Sequence, residues 1–574
     1  MGCGDGIESC DVLDLLGQLL NKSLASVEAQ VGPSTRYRML ETIRQYAHEK
    51  LMEAGEATQA RQQHLHYYLE LSEKLGGRLR GPEQGPLLDL LEAELDNLRL
   101  ALEWSLESRE QPVWSIEAGL RIASALLWFW HPRGRHVEGV RWLERLLTAE
   151  ATGGGEGALT PERIRLRAEA FFVAAWLAHC VGNRSKSVPF AEQSRDLYLK
   201  LGPAGRHGLS LNMIHFGILE ADKGNLPEAN RLLKESRAFF QEEKDSFWES
   251  DSLMLLGQIA WNNLEFEAAQ GYYEEDLRIK QAIGDQDGIG CALLGLGTLA
   301  FDQGEDEQAR NFCEQSLRVF SAIGNANVIY LPLLILGRLE LRQGDYARAE
   351  ECLLEQLSLG YKRGNIAEIL SGLTNLGLLA LVRENLPEAE ARYAESLAIS
   401  RKRNQPEDAR FAFWNLGNTA WVKGDLETAA ARFAEVLALA QEAGDQTNQG
   451  NAHFGLGRVA FAQGEIERAR EHLVKALGSC FTYSNLPWDF PYALEALAFV
   501  AMSQQQMAQA ARLLGVMQAY HDRYQNLRSP KEREMRRDAM AQVCAALGEE
   551  AFAVAWQEGE VMGLKQAIAH VREE

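Results

Sequence analysis

Apolar positions between about residues 116 and 520 recur three and four apart, the spacing of an amphipathic helix, and the whole pattern returns every forty residues. Gly217, Gly257, Gly297, Gly337, Gly377, Gly417 and Gly457 form one column of this repeat, and Ala498 continues it one residue late. Twelve residues after each stands Ala: Ala229, Ala269, Ala309, Ala349, Ala389, Ala429, Ala469 and Ala510. Seven after the first column comes Gly in most repeats (Gly224, Gly304, Gly344, Gly424, Gly464), followed by Asn, Asp or Glu, the chemistry of a helix end and a fresh N-cap. A second stop falls twenty-seven after the first column, at Gly284, Gly324, Gly364, Asn404 and Gly444. Each unit is therefore predicted to be helix–turn–helix.

A Gly inside a helix costs roughly 1 kcal/mol relative to Ala, so its recurrence calls for a packing reason. Small residues at matched places let the two helices of a unit approach closely, with Leu416, Phe433 and their equivalents filling the space around them. In this form the unit resembles the tetratricopeptide repeat, whose Leu-Gly followed by Ala twelve residues on is matched by Leu256–Gly257 with Ala269 and by Leu416–Gly417 with Ala429. The unit departs from that family in its forty-residue length, in Ala260, Ala300, Ala420 and Ala460 where an aromatic is usual, and in Leu264 and Glu384 where the turn Gly is expected.

The ends have another grammar. Residues 15–56 read as a helix, a short β-like pair around a Gly-Pro turn, and a helix carrying Arg44 and Lys50. LLNKSL, RYRMLETIRQYA, RQQHLHYYLELSEKL and LEAELDNLRLALEWSL, with ALLWFWHPRGRHVEGVRWLERLL at 125–147 and ALGEEAFAVAWQEGEVMGLKQAI at 546–568, resemble the region that follows the nucleotide-binding core in bacterial STAND-class regulators, signal-transduction ATPases with numerous domains. The resemblance implies a winged-helix remnant at 1–55, a helical arm at 56–115, a repeat superhelix at 116–520 and a helical cap at 521–574. The expected fold class is all-α, a tetratricopeptide-like solenoid with a small α/β segment at its N-terminus. It also implies a nucleotide-binding domain elsewhere, because no G-x-x-x-x-G-K-[ST] loop occurs in this chain to cradle phosphates. Arg36, Arg38, Arg44 and Lys50 form a local basic group suited to DNA contact, but the resemblance implies that the winged-helix domain acts instead as a hinge and lock against the nucleotide-binding core.

Composition narrows the function further. A net charge of −22 opposes a phosphate backbone. No stretch nears the roughly 18 apolar residues of a membrane helix, MGCGDG is neither a signal peptide nor a myristoylation site, and a cytoplasmic protein is expected. The eight Cys are scattered without C-x-x-C or a His at ligand spacing, so buried thiols rather than zinc are expected. His48-Glu49 lacks the second His of a zincin, and His64 and His66 lie on opposite sides of a helix. No catalytic, cofactor or metal residues are assigned, and no enzyme activity is expected.

The remaining signal is a stripe on the first helix of each unit. Four after the Gly column stand Trp261, Phe301, Trp421 and Phe461; three before it stand Trp414 and Phe454; beside them lie Arg338, Asn375, Asn415, Asn418 and Arg458. Residues seven apart share one helix face, and aromatic groups beside Asn and Arg suit a peptide. The expectation is a monomeric, non-catalytic sensor binding a peptide, protein or small signal on its concave face and relaying it to the nucleotide-binding domain. A scaffold for assembly without a groove ligand is the alternative. Each large residue could instead plug the joint between consecutive hairpins.

Overall fold

The computed structural model describes residues 11–28, 36–108, 112–153, 160–325, 327–402, 406–483, 491–524 and 529–573. The Gly-Pro turn of residues 32–33 and Asn404 lie outside them. The chain divides into two compact units: residues 1–259 with 271–292 and 318–327, and residues 260–270 and 293–317 with 328–574.

Helices account for nearly all of the described chain. The one sheet among the described residues is an antiparallel pair, Ser26–Glu28 with Arg36–Arg38, in the register Val27 to Tyr37. Helices Asp11–Asn21 and Glu41–Glu53 flank it in sequence, as the helix, β-pair, helix reading expects. From Pro161–Cys180 and Arg184–Lys200 to Pro491–Ser503 and Met507–Tyr524 the chain is a succession of helical hairpins, the forty-residue units among them.

The small-residue columns are the centre of each hairpin. All eight column Ala side chains are completely buried. A Cβ added at Gly217, Gly257, Gly297, Gly337, Gly377, Gly417 or Gly457 would meet the side chain sixteen residues on: Leu233, Tyr273, Cys313, Leu353, Tyr393, Phe433 and Leu473, at 2.5–2.9 Å for the nearest atom. The sequence supplies a large or polarizable group at +16 to fill what the Gly leaves open. This is the offset for the Gly cost, and it places the second helix directly on the first.

Turn geometry follows the same period. Gly224, Gly304, Gly344, Gly424 and Gly464 have φ between +78° and +88°. Leu264 and Glu384, which replace Gly in this column, take φ +61° all the same, and Gln505 takes +63°. The geometry is imposed by the hairpin and not chosen by the residue, since a side chain in this region costs roughly 1–2 kcal/mol.

Two substitutions test this opposite pair of constraints. Gly417→Val should lower the thermal midpoint, at an overpacking cost of roughly 1–3 kcal/mol, because Cβ would press on the Phe433 ring. Glu384→Gly should raise it, by about 1 kcal/mol of relieved strain; a fall there would mean the Glu384 side chain stabilises the turn.

Candidate functional site

The stripe residues are built into joints between successive repeats. Phe301 is buried, and the guanidinium groups of Arg342 and Arg338, from the next repeat, lie 4.2 and 5.2 Å from its ring centre. Arg342 also donates to the Phe301 carbonyl at 3.1 Å, while Arg338 remains exposed. Trp261 donates its indole N–H to Asp302 at 2.7 Å. The same register recurs later: Trp421 is buried under Arg458, thirty-seven residues on, at 4.4 Å. Stacking of this kind favours a cation on an aromatic face and strengthens as water is removed.

Arg458 gathers the largest part of the predicted set. It lies 4.5 Å from the Phe454 ring and 6.0 Å from that of Trp414, and it donates to the Asn418 side-chain carbonyl. Trp414 packs on Phe433 at 5.1 Å and on Phe454 at 6.3 Å, and Phe461 on Phe499 at 6.3 Å. Burial lowers the basicity of Arg458, with Glu532 opposing the effect. Asn375 lies apart, its amide bonded to Ser371 of its own helix at 2.8 Å, and Asn415 is half-buried, its carbonyl accepting from Thr419.

The partner of Arg458 is one that the sequence reading missed. Glu532, 3.1 Å away, belongs to helix Pro530–Leu547 and also closes a capping box with Ser529. Next to it Lys531 lies 4.5 Å from the Trp421 ring centre and donates to the carbonyls of Trp421 and Val422 at 2.7 and 3.2 Å. Ser529-Pro530-Lys531-Glu532 announces a helix start in the sequence, but not where that helix docks. What remains among Trp421, Phe454, Arg458, Phe461, Glu532 and Met535 is a cavity of about 50 Å³, room for roughly one water molecule. In this structure helix Pro530–Leu547 covers the stripe at this end.

The roomy recess is in the other unit. A cavity of about 830 Å³ is lined by Glu73, Arg121, Arg163, Glu169, Phe172 and Trp248, among others. Arg121 pairs with Glu73 at 2.6 Å and Arg163 with Glu117 at 2.9 Å, so much of its charge is already compensated. Glu169 has no hydrogen-bond or ion-pair partner among the described residues. Its side chain is open to the recess, and the protein enclosing that recess raises its carboxyl above the ordinary range, with Arg165 and His207 opposing the effect.

Beside this recess lies a buried ion cluster. Arg80 binds Asp251 at 2.8 and 3.2 Å and Asp285 at 3.0 and 3.3 Å, and its guanidinium lies 4.1 Å from the Trp128 ring centre and 5.6 Å from that of Trp248. Lys280, fully buried, adds contacts to Asp276 at 3.3 Å and Asp251 at 3.5 Å. Burial pushes the Asp276 carboxyl up to about 7, with Lys280 opposing. Gln84 accepts from the Asp287 N–H at 2.9 Å. These contacts span up to 205 residues of sequence, and no local motif announces them.

The thiols do not share one environment. Among the described residues Cys313 is buried, Cys291, Cys352 and Cys544 are half-buried, and Cys180 is exposed, against the expectation of buried thiols. Cys180 is the last residue of its helix, and crowding by neighbouring protein raises its thiol.

The tetratricopeptide repeat family model matches residues 408–479. Proteins named as HTH-type transcriptional regulators of Mycobacterium bovis and Mycobacterium tuberculosis are 32% identical over 202 residues, 35% of this chain. The chain covers 22% of the length of those curated relatives. Among solved structures, a Rap protein complexed with competence and sporulation factor is 13% identical, with a TM-score of 0.44 over 72% of this chain and 100% of its own. A STAND protein with a tetratricopeptide repeat sensor from Pyrococcus horikoshii is 14% identical, with a TM-score of 0.42 over 80% of this chain and 60% of its own.

Asp302 offers a test of the joints. Burial pushes its carboxyl up to about 6, with Trp261, Arg338 and Arg342 only partly offsetting it. The folded state then holds the proton more tightly than the unfolded chain, whose carboxyl titrates near 4. Stability from this group is present below that range and lost as pH rises through about 6. Asp302→Asn should therefore gain on the parent between about pH 4 and pH 8, by up to about 3 kcal/mol. Thermal midpoints of both proteins across that range measure it, and a constant difference would count against the desolvated carboxyl. From its period, its Gly-to-large-residue packing and the match over residues 408–479, the chain carries a tetratricopeptide-repeat solenoid, a fold with a protein-interaction or scaffold role.

Proposed function

We propose that this chain is the sensor region of a STAND-class signal-transduction regulator. It binds a peptide, protein or small signal on its repeats and relays that event through the arm to a nucleotide-binding domain. One observation carries this reading: the 830 Å³ recess is walled both by the arm, through Glu73, Gly76 and Gly77, and by repeat helices, through Arg163, Glu169, Phe172 and Trp248. An occupant would touch sensor and relay at once. Trp128 and Trp248 belong to that wall and also seat Arg80, so movement of either ring changes the environment of the buried ion cluster. The stripe at 414–461 then contributes to holding the array and its cap together. It becomes a second recognition surface when helix Pro530–Leu547 leaves it.

The test is a thermal-shift screen of a defined panel of short peptides and small metabolites against the chain, with Glu169→Gln and Trp248→Ala as controls and sizing over a range of concentrations. A monomer with stabilising compounds whose effect is lost in either variant supports the sensor. Concentration-dependent oligomers without any such compound favour the scaffold alternative. Arg80→Met, which takes the guanidinium from Asp285 and leaves Asp251 with Lys280 alone, should loosen the arm by about 3–5 kcal/mol. Faster amide exchange in helix Ala57–Gly76 would report it; unchanged exchange would remove Arg80 from the relay.

A further inference from the structure

Three soft donors converge outside both sites described above. His131 follows helix Leu127–Trp130, His136 opens helix His136–Gly153, and Cys180 is the last residue of helix Pro161–Cys180. His131 Nδ1 lies 3.1 Å from His136 Nε2 and 3.6 Å from Cys180 Sγ, and all three atoms fall within 4.8 Å of one another. A tetrahedral zinc ion, with bonds of about 2.0–2.1 Å to nitrogen and about 2.3 Å to sulfur, holds its ligand atoms about 3.3 Å (N···N) and about 3.6 Å (N···S) apart. The two separations at His131 Nδ1 are close to that set, and the third, His136 Nε2 to Cys180 Sγ, is under 4.8 Å.

Hydrogen bonding alone serves the trio less well. Nδ1 of His131 takes part in both contacts. An imidazole nitrogen has a single in-plane lone pair or a single N–H, so it cannot form two full-strength bonds at once. A cation between the three atoms uses one lone pair from each. Imidazole and thiolate suit zinc, whereas calcium and magnesium take oxygen donors.

The surroundings hold the donors in place. Gly134, at φ +68°, turns the loop, Arg135 N–H bonds to the Trp130 carbonyl at 2.8 Å, and the Asn327 amide donates to the His131 carbonyl. The helix C-terminus at Cys180 contributes partial negative charge, favourable to a cation. Cys180 reaches the surface at the end of its helix, although neighbouring protein crowds its thiol and raises it.

We propose that His131, His136 and Cys180 bind one zinc ion, with water in the fourth position. The Cys180 thiol gives up its proton to solvent as the Sγ–zinc bond forms, with no change of oxidation state. The ion then ties the HPRGRH segment to the end of helix Pro161–Cys180 across forty-nine residues of sequence. The three donors are not part of the recess lining, although the His131 ring packs edge-on against Trp128 at 6.2 Å.

The test uses the whole chain, stripped with a chelator and titrated with zinc chloride, then with cobalt(II) as a spectroscopic substitute. One zinc per chain is expected, with a thiolate-to-cobalt charge-transfer band. Cys180→Ser should abolish that band, and it and His136→Gln should each weaken zinc binding at least tenfold, since losing even an outer partner of a ligand costs about 10- to 100-fold. Zinc should also slow alkylation of Cys180, followed on its own peptide by mass spectrometry, a readout that does not depend on either variant folding. Absence of stoichiometric zinc, or binding and Cys180 alkylation that ignore these residues, would overturn the site.

Discussion

Each repeat depends on one contact, a helix-interior Gly against the side chain sixteen residues later. Because no Cβ stands in the way, the Phe433 ring reaches the backbone of the first helix at Gly417, as Tyr273 does at Gly257 and Tyr393 at Gly377. The buried Ala twelve residues on keeps the second helix close enough for this to happen. Leu, Tyr, Phe and Cys all serve at +16. The constraint is therefore one of room on the Gly side and tolerance on the other, which is how close-packed interiors accept varied side chains.

Packing between repeats follows a different rule. Phe301 and Trp421 each lie beneath an Arg thirty-seven residues on, so a residue pattern that suits peptide recognition also suits the joint between hairpins. In both cases a large ring excludes water and a cation lies over its face. The chemistry is the same whether the cation comes from a ligand or from the next repeat. Near the end of the chain Lys531 and Glu532 complete this arrangement, so Arg458 meets a carboxylate and Trp421 a second cation. In the other unit Arg80 does comparable work with Asp251, Asp285 and Trp128. Removing one member of such a buried set leaves an uncompensated charge, which makes it well suited to transmit a displacement.

Much of the hairpin fold was legible because its constraints are local and recur. Gly, Ala and the positive-φ turns each occupy a fixed place in a forty-residue count, and even Leu264 and Glu384, which break the composition rule, obey the geometric one. The candidate sites were legible only in part. The sequence places Trp414, Asn418, Trp421, Phe454, Arg458 and Phe461 on one face, and in the structure they gather around Arg458, but Glu532 comes from seventy-four residues beyond Arg458. Asn375 shares their helical phase and yet spends its amide on its own helix.

By itself, then, the sequence determined the period, the helix ends, the close helix pair within each unit and the resemblance to the tetratricopeptide repeat. All of these are written in residues within one forty-residue unit. Only the tertiary structure decided which charges meet: Arg80 with Asp251 and Asp285, Arg458 with Glu532, and Cys180 with His131 and His136. The physical reason is range. Backbone geometry and small-residue packing act between neighbours in the chain. A buried ion pair or a set of metal donors is satisfied by whatever the fold brings within a few ångströms, and nothing in the spacing of the partners records that encounter.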